Sequence, residues 1–209
     1  MTDATDFSAV PTTALADLLG RGQVMDIGIR PLWGPAGRVV GPAFTVSCAP
    51  GDNLMLHAAI HRAGPGSVLV VESGDLDWAL AGGNVCAVAR RRGIAGFVLD
   101  GLIRDLAEVR EMRFPVFARG VIPIPGAKSV VRPLREPVTC GGVRVEAGDI
   151  VVADEEGVVA VPAARRDEVL AAARARLAKE GEESLDAWEA AHRARIDKLL
   201  VEQGFEGEG

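Results

Sequence analysis

The sequence predicts an α/β fold, in which a central sheet with parallel βαβ units is followed by β-hairpins and C-terminal helices. Apolar runs of strand length alternate with helix-like segments between residues 67 and 118, as in right-handed crossovers between parallel strands. Ser67–Glu72 is a continuous apolar run, which favours a strand buried on both faces. Residues 137–162 hold three short β-rich runs separated by glycine pairs and acidic turns, which indicates hairpins. From Ala164 onward, alanine, arginine, glutamate and leucine dominate, and this part is predicted to be helical.

The elements can be ordered from their hydrophobic pattern and their end signals. Thr12 or Thr13 can cap the first helix and Gly20 can end it. Asp52 can cap the second helix, and Gly181 is expected to divide the C-terminal segment into two helices. The predicted order is a helix at 13–19, a strand at 38–48, a helix at 53–63, a strand at 67–72, a helix at 84–92, a strand at 94–100, a helix at 104–113 and a strand at 115–118.

Composition restricts the class of protein. The 209 residues are expected to form one domain over residues 1–209, with residues 181–209 as a helical extension. The net charge of −6 argues against a general nucleic-acid binder, which would carry a basic footprint. No apolar run reaches the roughly 18 residues that span a bilayer, and the N-terminus lacks the pattern of a signal peptide. A cytoplasmic protein without membrane contact is expected.

Cysteine and histidine spacing limits the metal chemistry. Cys48, Cys86 and Cys140 are widely separated and form no C-x-x-C pair, so they are expected to be small core residues. His57 and His61 are four residues apart, so on a helix they would share a face and could hold one metal ion. The alternative is that they are two partly exposed helix residues, since no glutamate of an H-E-x-x-H motif accompanies them.

A glycine pair precedes one predicted helix, in the segment A-G-G-N-V at residues 81–85. The backbone N–H groups of Gly83, Asn84 and Val85 would point outward at the helix N-terminus. Such a helix start suits a carboxylate or a phosphate, although an ordinary helix start has the same appearance.

A second polar turn, D-G-L-I-R-D at residues 100–105, follows the next predicted strand. Asp100 is predicted to close that strand, and Arg104 and Asp105 to open the following helix. Arg104 offers a planar pair of donors for a carboxylate or an enolate. Asp105 offers a hard oxygen ligand for Mg²⁺ or Mn²⁺. The alternative is an Arg–Asp pair that caps a helix. Ligands of open α/β sheets bind beyond the carboxyl ends of the strands, so the two turns could converge on one pocket.

Several familiar motifs do not occur. The sequence has no P-loop, no G-x-G-x-x-G after a strand and no G-x-S-x-G, which argues against a P-loop NTPase, a Rossmann dinucleotide site and an α/β-hydrolase. It also has no glycine-rich loop of the kind that binds adenosylmethionine. Tyrosine is absent and aromatic residues make up 4%, which argues against a protein that stacks bases.

Four motifs carry a family resemblance: a P-G-x-V-L-V-V strand, the G-G-N helix start, the block G-x-x-G-x-V-x-D-G-x-x-R-D, and P-V-F-A-R-G. Together they resemble the RraA-like family from about Ala9 to Glu180. That family includes the 4-hydroxy-4-methyl-2-oxoglutarate/4-carboxy-4-hydroxy-2-oxoadipate aldolases and the RraA regulator of ribonuclease E.

The resemblance implies a β/β/α swivelling-type domain that assembles as trimers or hexamers with sites between subunits. It implies that Arg104 contacts pyruvate and that Asp105 binds the divalent metal. The backbone that would hold the pyruvate carboxylate is that of Gly82, Gly83, Asn84 and Val85.

One position departs from the family pattern. Some aldolases carry an acidic residue where this chain has Gly83, and that residue helps to hold water on the metal. A glutamate from the tail of a neighbouring subunit assists in the family, and Glu180 is either its counterpart or a solvated charge. The three lysines, Lys128, Lys179 and Lys198, lie outside both turns, so a Schiff base is not required.

The residues and the resemblance point to a class II aldolase that cleaves 4-hydroxy-4-methyl-2-oxoglutarate or a related 4-hydroxy-2-oxo acid to pyruvate. Oxaloacetate decarboxylation is an expected side activity, because it passes through the same pyruvate enolate. The metal would act as a Lewis acid, and Arg104 would donate to the developing enolate. The alternative is a non-catalytic protein of the RraA type that binds and inhibits a ribonuclease.

Overall fold

The structure is a computed structural model that describes residues 3–35, 37–182 and 184–205. The chain divides into two compact units, the first ending at Ala173 and the second beginning at Arg174. The first unit contains every described strand, and the second contains the end of one helix and the whole of the last. No described helix is both long enough and apolar enough to cross a membrane.

The helices are α1 (Thr12–Leu19), α2 (Leu54–Ala59), α3 (Gly83–Arg91), α4 (Leu106–Glu111), α5 (Arg166–Glu182) and α6 (Leu185–Glu202). Short 3₁₀ turns lie at Ala4–Phe7, Arg21–Gln23 and Ala163–Arg165. The strands are β1 (Arg30–Pro31), β2 (Val39–Ser47), β3 (Val68–Glu72), β4 (Ala79–Ala81), β5 (Gly96–Ile103), β6 (Val116–Val121), β7 (Val138–Cys140), β8 (Val143–Val145), β9 (Ile150–Asp154) and β10 (Gly157–Val161).

The main sheet has the order β1-β6-β5-β3-β2-β9-β10, with β4 beside β5. Strands β2, β3, β5 and β6 are parallel to one another, whereas β1, β9 and β10 pair antiparallel with their neighbours. The hairpin β7–β8 forms a separate two-stranded sheet. The α/β class, the βαβ units and the later hairpins are therefore confirmed.

Strand β3 is buried on both faces, as its apolar run predicts. Leu69 and Val71 pack into the core that holds α2, α3 and α4. Val68 and Val70 pack into the second core, which holds β7 and β8. Because side chains of a strand alternate between faces, one apolar run can serve both cores.

Strand β5 is longer than predicted, which moves the second turn. The prediction that Asp100 closes the strand is wrong, because β5 continues to Ile103. The sequence did not indicate β4, which pairs with Leu102 and Ile103 and extends the strand. Gly101 lies within β5, where a Cβ would stand 2.7 Å from Leu80 Cδ1. It therefore allows close packing instead of the predicted tight turn.

Other helix boundaries differ from the predicted ones, and local hydrogen bonds explain the differences. Helix α2 ends at Ala59 and not at residue 63, because the chain tightens there into shorter-range backbone bonds. Pro11 occupies the cap position of α1, and the Thr12 hydroxyl instead donates to Asp154 Oδ1 at 2.6 Å. Gly181 lies inside α5, so the predicted break there is wrong, and Ser184 caps the start of α6.

The three cysteines are buried and unpaired, as predicted. Burial raises the pKa of the Cys48 thiol to about 11 and that of Cys86 to about 12. Burial also raises the pKa of Cys140. All three are therefore protonated at neutral pH and are poor nucleophiles.

Candidate active site

The two predicted turns meet in one small cleft beyond the carboxyl ends of β4 and β5. Gly82 caps α3 and Asp105 caps α4, so the two helices begin side by side. The cleft is lined by Gly82, Asn84, Val85, Arg104 and Asp105 together with residues from other segments. The two predicted turns therefore do converge, but Arg104 and Asp105 precede α4 and do not lie within it.

Asp105 has an unusual backbone conformation. Its φ of 58° and ψ of 38° lie in the left-handed region, which aspartate tolerates better than most residues. Its Oδ2 accepts a hydrogen bond from the Gly83 N–H at 3.0 Å and lies 3.5 Å from Arg104 Nε. Within the described part of the chain, the other oxygen, Oδ1, has no hydrogen bond. Asp105 therefore joins the two helix starts and keeps one oxygen available.

Gly82 is required for space. Its φ of −147° is ordinary extended backbone, so its conformation does not demand glycine. A Cβ at this position would stand 2.4 Å from Asp105 Oδ2 and 3.0 Å from Arg104 Cγ. Any side chain at residue 82 would therefore displace the two residues that the sequence singled out.

The helix start of α3 is partly used by the protein itself. The N–H of Gly83 is taken by Asp105, and the first helical bond runs from the Cys86 N–H to the Gly82 carbonyl at 3.1 Å. The N–H groups of Asn84 and Val85 lie between these two and remain for a ligand. The predicted set of three outward N–H groups is thus reduced to two.

Glu108 occupies the place of the side chain that Gly83 lacks. A Cβ on Gly83 would lie 1.8 Å from Glu108 Oε2, so this carboxylate stands directly over the glycine. Glu108 is exposed and lies in the first turn of α4. The sequence could not reveal it, because nothing in the local pattern shows that the two helices begin face to face.

His57 contributes a neutral ring to the cleft. Burial lowers its pKa to about 4, and the positive charge of Lys128 acts in the same direction. A hydrogen bond to the Leu80 carbonyl opposes this without reversing it. His61 lies beyond the end of α2 and is exposed, so the two histidines do not share a helical face. A histidine pair holding one metal ion is therefore not what the structure contains.

The lowered pKa of His57 predicts a loss of stability in mild acid. The unfolded chain takes up this proton below about pH 6.5, whereas the folded chain resists it until about pH 4. The contribution is complete above pH 6.5 and is lost as the pH falls toward 4, by on the order of 2 kcal/mol after allowance for partial exposure. Urea unfolding at about pH 7 and about pH 5 measures it. His57→Gln should flatten the dependence and His61→Gln should not. If the free energy of unfolding depended equally on pH in all three proteins, the assignment of this effect to His57 would be refuted.

Lys128 also lines the cleft, although it lies in neither turn. Its segment is held by Asp52, which is 4% exposed and accepts hydrogen bonds from the backbone N–H groups of Leu54, Ser129 and Val130. Burial alone would raise the pKa of Asp52, but these hydrogen bonds lower it overall. The sequence missed Lys128 because the segment is remote from the turns in the chain and returns through tertiary contacts.

Asp100 and Glu180 each have an arginine partner. Asp100 Oδ1 accepts from Arg119 Nε at 2.5 Å, and its Oδ2 accepts from the Gly141 N–H at 2.7 Å, so it ties β5 to β6 and to the β7–β8 turn. Glu180 pairs with Arg176 on α5 at 2.7 Å and is half-exposed. Asp100 therefore has a structural task, and Glu180 has the surroundings of a solvated charge.

The donor set fits one kind of metal ion. Among residues 3–35, 37–182 and 184–205, no group of three or more His, Cys, Asp or Glu side chains could hold a metal together. That argues against a closed protein cage of the zinc type. Mg²⁺ and Mn²⁺ are commonly held by one or two carboxylates completed by water and substrate oxygens. The Asp105 carboxylate, with a side chain 37% exposed and one uncommitted oxygen, fits an ion of this kind.

Comparison with known proteins gives consistent matches. Residues 11–160 match the RraA-like family, described as Aldolase/RraA. A Halalkalibacterium halodurans protein, provisionally named a 4-hydroxy-4-methyl-2-oxoglutarate aldolase, is 37% identical over 202 residues, which are 96% of this chain and 92% of that protein. The 4-hydroxy-4-methyl-2-oxoglutarate aldolase of Thermus thermophilus is 33% identical over 152 residues, which are 72% of this chain and 92% of that protein.

A solved structure supports the same relationship. Streptomyces coelicolor RraAS2, described as an unusual member of the RNase ES inhibitor RraA family, matches with a TM-score of 0.76 and 31% identity. The match covers 85% of this chain and 93% of that one. This chain therefore shares its fold with a protein described as a member of an RNase inhibitor family, and it matches relatives with aldolase names in sequence. The chain belongs to the RraA-like family.

Proposed function

We propose that this protein is a divalent-metal-dependent lyase that cleaves 4-hydroxy-4-methyl-2-oxoglutarate, or a related 4-hydroxy-2-oxo acid, to pyruvate. The observation that carries this proposal is the convergence of Arg104, Asp105 and the α3 helix start around one cleft. The aldolase names of its relatives favour the same reaction.

The reaction needs three things from the protein. In the retro-aldol step the 4-hydroxyl gives its proton to a water molecule, the C3–C4 bond breaks, C4 becomes the carbonyl carbon of the second product, and the electron pair moves onto the pyruvate enolate, which then takes up a proton from water at C3. The Arg104 guanidinium, whose side chain is 41% exposed to the cleft and solvent, can donate to that enolate oxygen. The free N–H groups of Asn84 and Val85 can hold the adjoining carboxylate. A Mg²⁺ or Mn²⁺ ion bound at Asp105 would supply Lewis-acid polarisation of the 2-oxo group.

The charges of the cleft suit a substrate with two carboxylates. Arg104 and Lys128 are positive, Asp105 and the adjacent Glu108 are negative, and His57 is neutral because of its low pKa. With a divalent cation on Asp105, the cleft would carry a clear excess of positive charge. A dicarboxylic 2-oxo acid such as 4-hydroxy-4-methyl-2-oxoglutarate or oxaloacetate complements that excess.

Glu108 is the carboxylate closest to Gly83, the position at which this chain departs from the family pattern. Glu108 Oε2 and Asp105 Oδ2 both lie close to Gly83, which places these two oxygens within about 7 Å of each other. That span can accommodate a cation and one of its waters. We assign Glu108 the role of holding water beside the ion, which an acidic residue at position 83 would otherwise have.

A second function is a candidate because one solved relative is described as an RNA-processing inhibitor and another as an unusual member of an RNase inhibitor family. In that case the chain would bind a partner protein and its cleft residues would be dispensable. Binding that survives Asp105→Asn, together with no turnover by the wild-type protein, would favour this function.

Removal of the metal tests the proposed function. Pyruvate release from 4-hydroxy-4-methyl-2-oxoglutarate and from oxaloacetate is measured with Mg²⁺, after EDTA, and after Mg²⁺ is restored. We expect turnover of both substrates, loss of at least about 100-fold with EDTA, and full recovery. Turnover that persists in EDTA would contradict metal dependence, and no turnover in any condition would contradict the lyase assignment.

A further inference from the structure

One residue that lines the cleft has a buried acceptor without a partner among the described residues. Asn53 lines the cleft, is 2% exposed, and lies immediately before α2. Its Nδ2 donates to the Ala79 carbonyl at 3.1 Å, which sets the orientation of the amide because the reverse orientation would oppose two oxygens. Its Oδ1 has no hydrogen bond within the part of the chain that the structure describes.

An unpartnered buried oxygen is uncommon in a folded protein and calls for an explanation such as a ligand. Among the described residues, the other unpartnered group of this kind is Thr45 Oγ1, in the middle of β2 and outside the residues that line the cleft. Asn53 therefore differs from Thr45 in one respect that bears on function, since it forms part of the wall beside Arg104 and Asp105.

His57, a neighbouring residue of the cleft wall, also offers a hydrogen-bond acceptor. His57 lies four residues further along, and its ring is neutral at physiological pH because burial lowers its pKa. A neutral imidazole has one ring nitrogen that can only accept a hydrogen bond. Acceptors in this wall suit a ligand group that donates, and the donor of a 4-hydroxy-2-oxo acid is its hydroxyl.

We propose that Asn53 is the specificity-determining residue for the substrate hydroxyl, which donates to its Oδ1. This inference rests on the proposed lyase function and adds to it a reason why hydroxylated 2-oxo acids are preferred. Oxaloacetate has no hydroxyl at the corresponding carbon, so its decarboxylation would use Arg104 and Asp105 but not Asn53. A site built to bind a hydroxyl loses its preference when that acceptor is removed.

The test compares two substrates in one variant. Asn53→Ala is assayed for kcat/KM with 4-hydroxy-4-methyl-2-oxoglutarate and with oxaloacetate in the same Mg²⁺ buffer. We expect the first value to fall about 100-fold or more and the second to change by less than about threefold. Thr45→Val, which removes the other unpartnered polar group, is the matched control and should leave both values unchanged. If Asn53→Ala does not fold, Asn53→Ser is assayed in its place with the same two substrates.

Equal losses on both substrates would overturn the proposal, because a merely structural residue affects both reactions alike. Unchanged kinetics on both substrates would overturn it as well. Neither outcome would contradict the lyase function, because turnover by the wild-type protein tests that function separately. A wild-type protein that releases no pyruvate from either substrate would overturn the lyase function and this inference together.

Discussion

Replacing Arg104 by alanine is expected to lower kcat for pyruvate release by about 10²–10³-fold. Its guanidinium is the donor that we place on the enolate oxygen, and such donors act most strongly where charge develops. The fold should persist, because the backbone N–H of Arg104 bonds to the Ala81 carbonyl at 2.9 Å and alanine retains that bond. Steady-state kinetics with saturating Mg²⁺ and a thermal unfolding curve measure the two effects.

Two further variants are compared with Arg104→Ala. Arg104→Lys keeps the charge but loses the planar pair of donors, so we expect it to recover only part of the rate. Arg90→Ala removes an exposed arginine from α3, away from the cleft-lining residues, and should leave kcat unchanged. Full turnover in Arg104→Ala would mean that this side chain does not stabilise the enolate.

Replacing Gly82 by alanine is expected to lower kcat/KM by about 100-fold or more, because small displacements of reacting groups have large effects on rate. The added methyl would stand 2.4 Å from Asp105 Oδ2, closer than carbon and oxygen approach without bonding. Asp105 must then move, and its hydrogen bond to the Gly83 N–H must lengthen or break. Steady-state kinetics should show the lower kcat/KM, and the affinity for Mn²⁺ should fall as well.

Gly64→Ala is the matched control for Gly82→Ala. A Cβ at Gly64 would meet no atom within 4 Å, so the substitution tests the loss of a glycine without a collision. We expect its kinetics and Mn²⁺ affinity to match those of the wild-type protein. If Gly82→Ala also behaved as the wild type, the cleft would be loose enough to absorb a methyl group, and the close packing around Asp105 would not matter for activity.

The parallel core was predictable because its signals are local. The run at Ser67–Glu72 is apolar on both faces, and this pattern alone indicates a central strand with layers on either side. Strand β4 was not predictable, because Ala79–Ala81 is only three residues long and is stabilised by its pairing with β5. The same pairing extends β5 and explains the misplaced end at Asp100.

The lining of the candidate site was predictable only where its residues adjoin turns. Arg104 and Asp105 were singled out because they follow a buried strand, although the left-handed backbone of Asp105 leaves no clear mark in the sequence. Asn53, Lys128 and Glu108 reach the site through tertiary contacts that join distant segments or facing helix starts. Their importance depends on an unpartnered oxygen, a charge or an occupied space, and these are properties of the fold.

The proposed lyase chemistry depends most directly on the charge of Asp105, and Asp105→Asn tests it. Asparagine tolerates the left-handed backbone and can still accept from the Gly83 N–H, so the helix starts should stay in place. The measurement is pyruvate release from 4-hydroxy-4-methyl-2-oxoglutarate in saturating Mg²⁺ by Asp105→Asn and the wild type. We predict a loss of about 100-fold or more, with an unchanged unfolding temperature. Turnover at the wild-type rate by Asp105→Asn would contradict the assignment of this cleft as a metal-dependent lyase site.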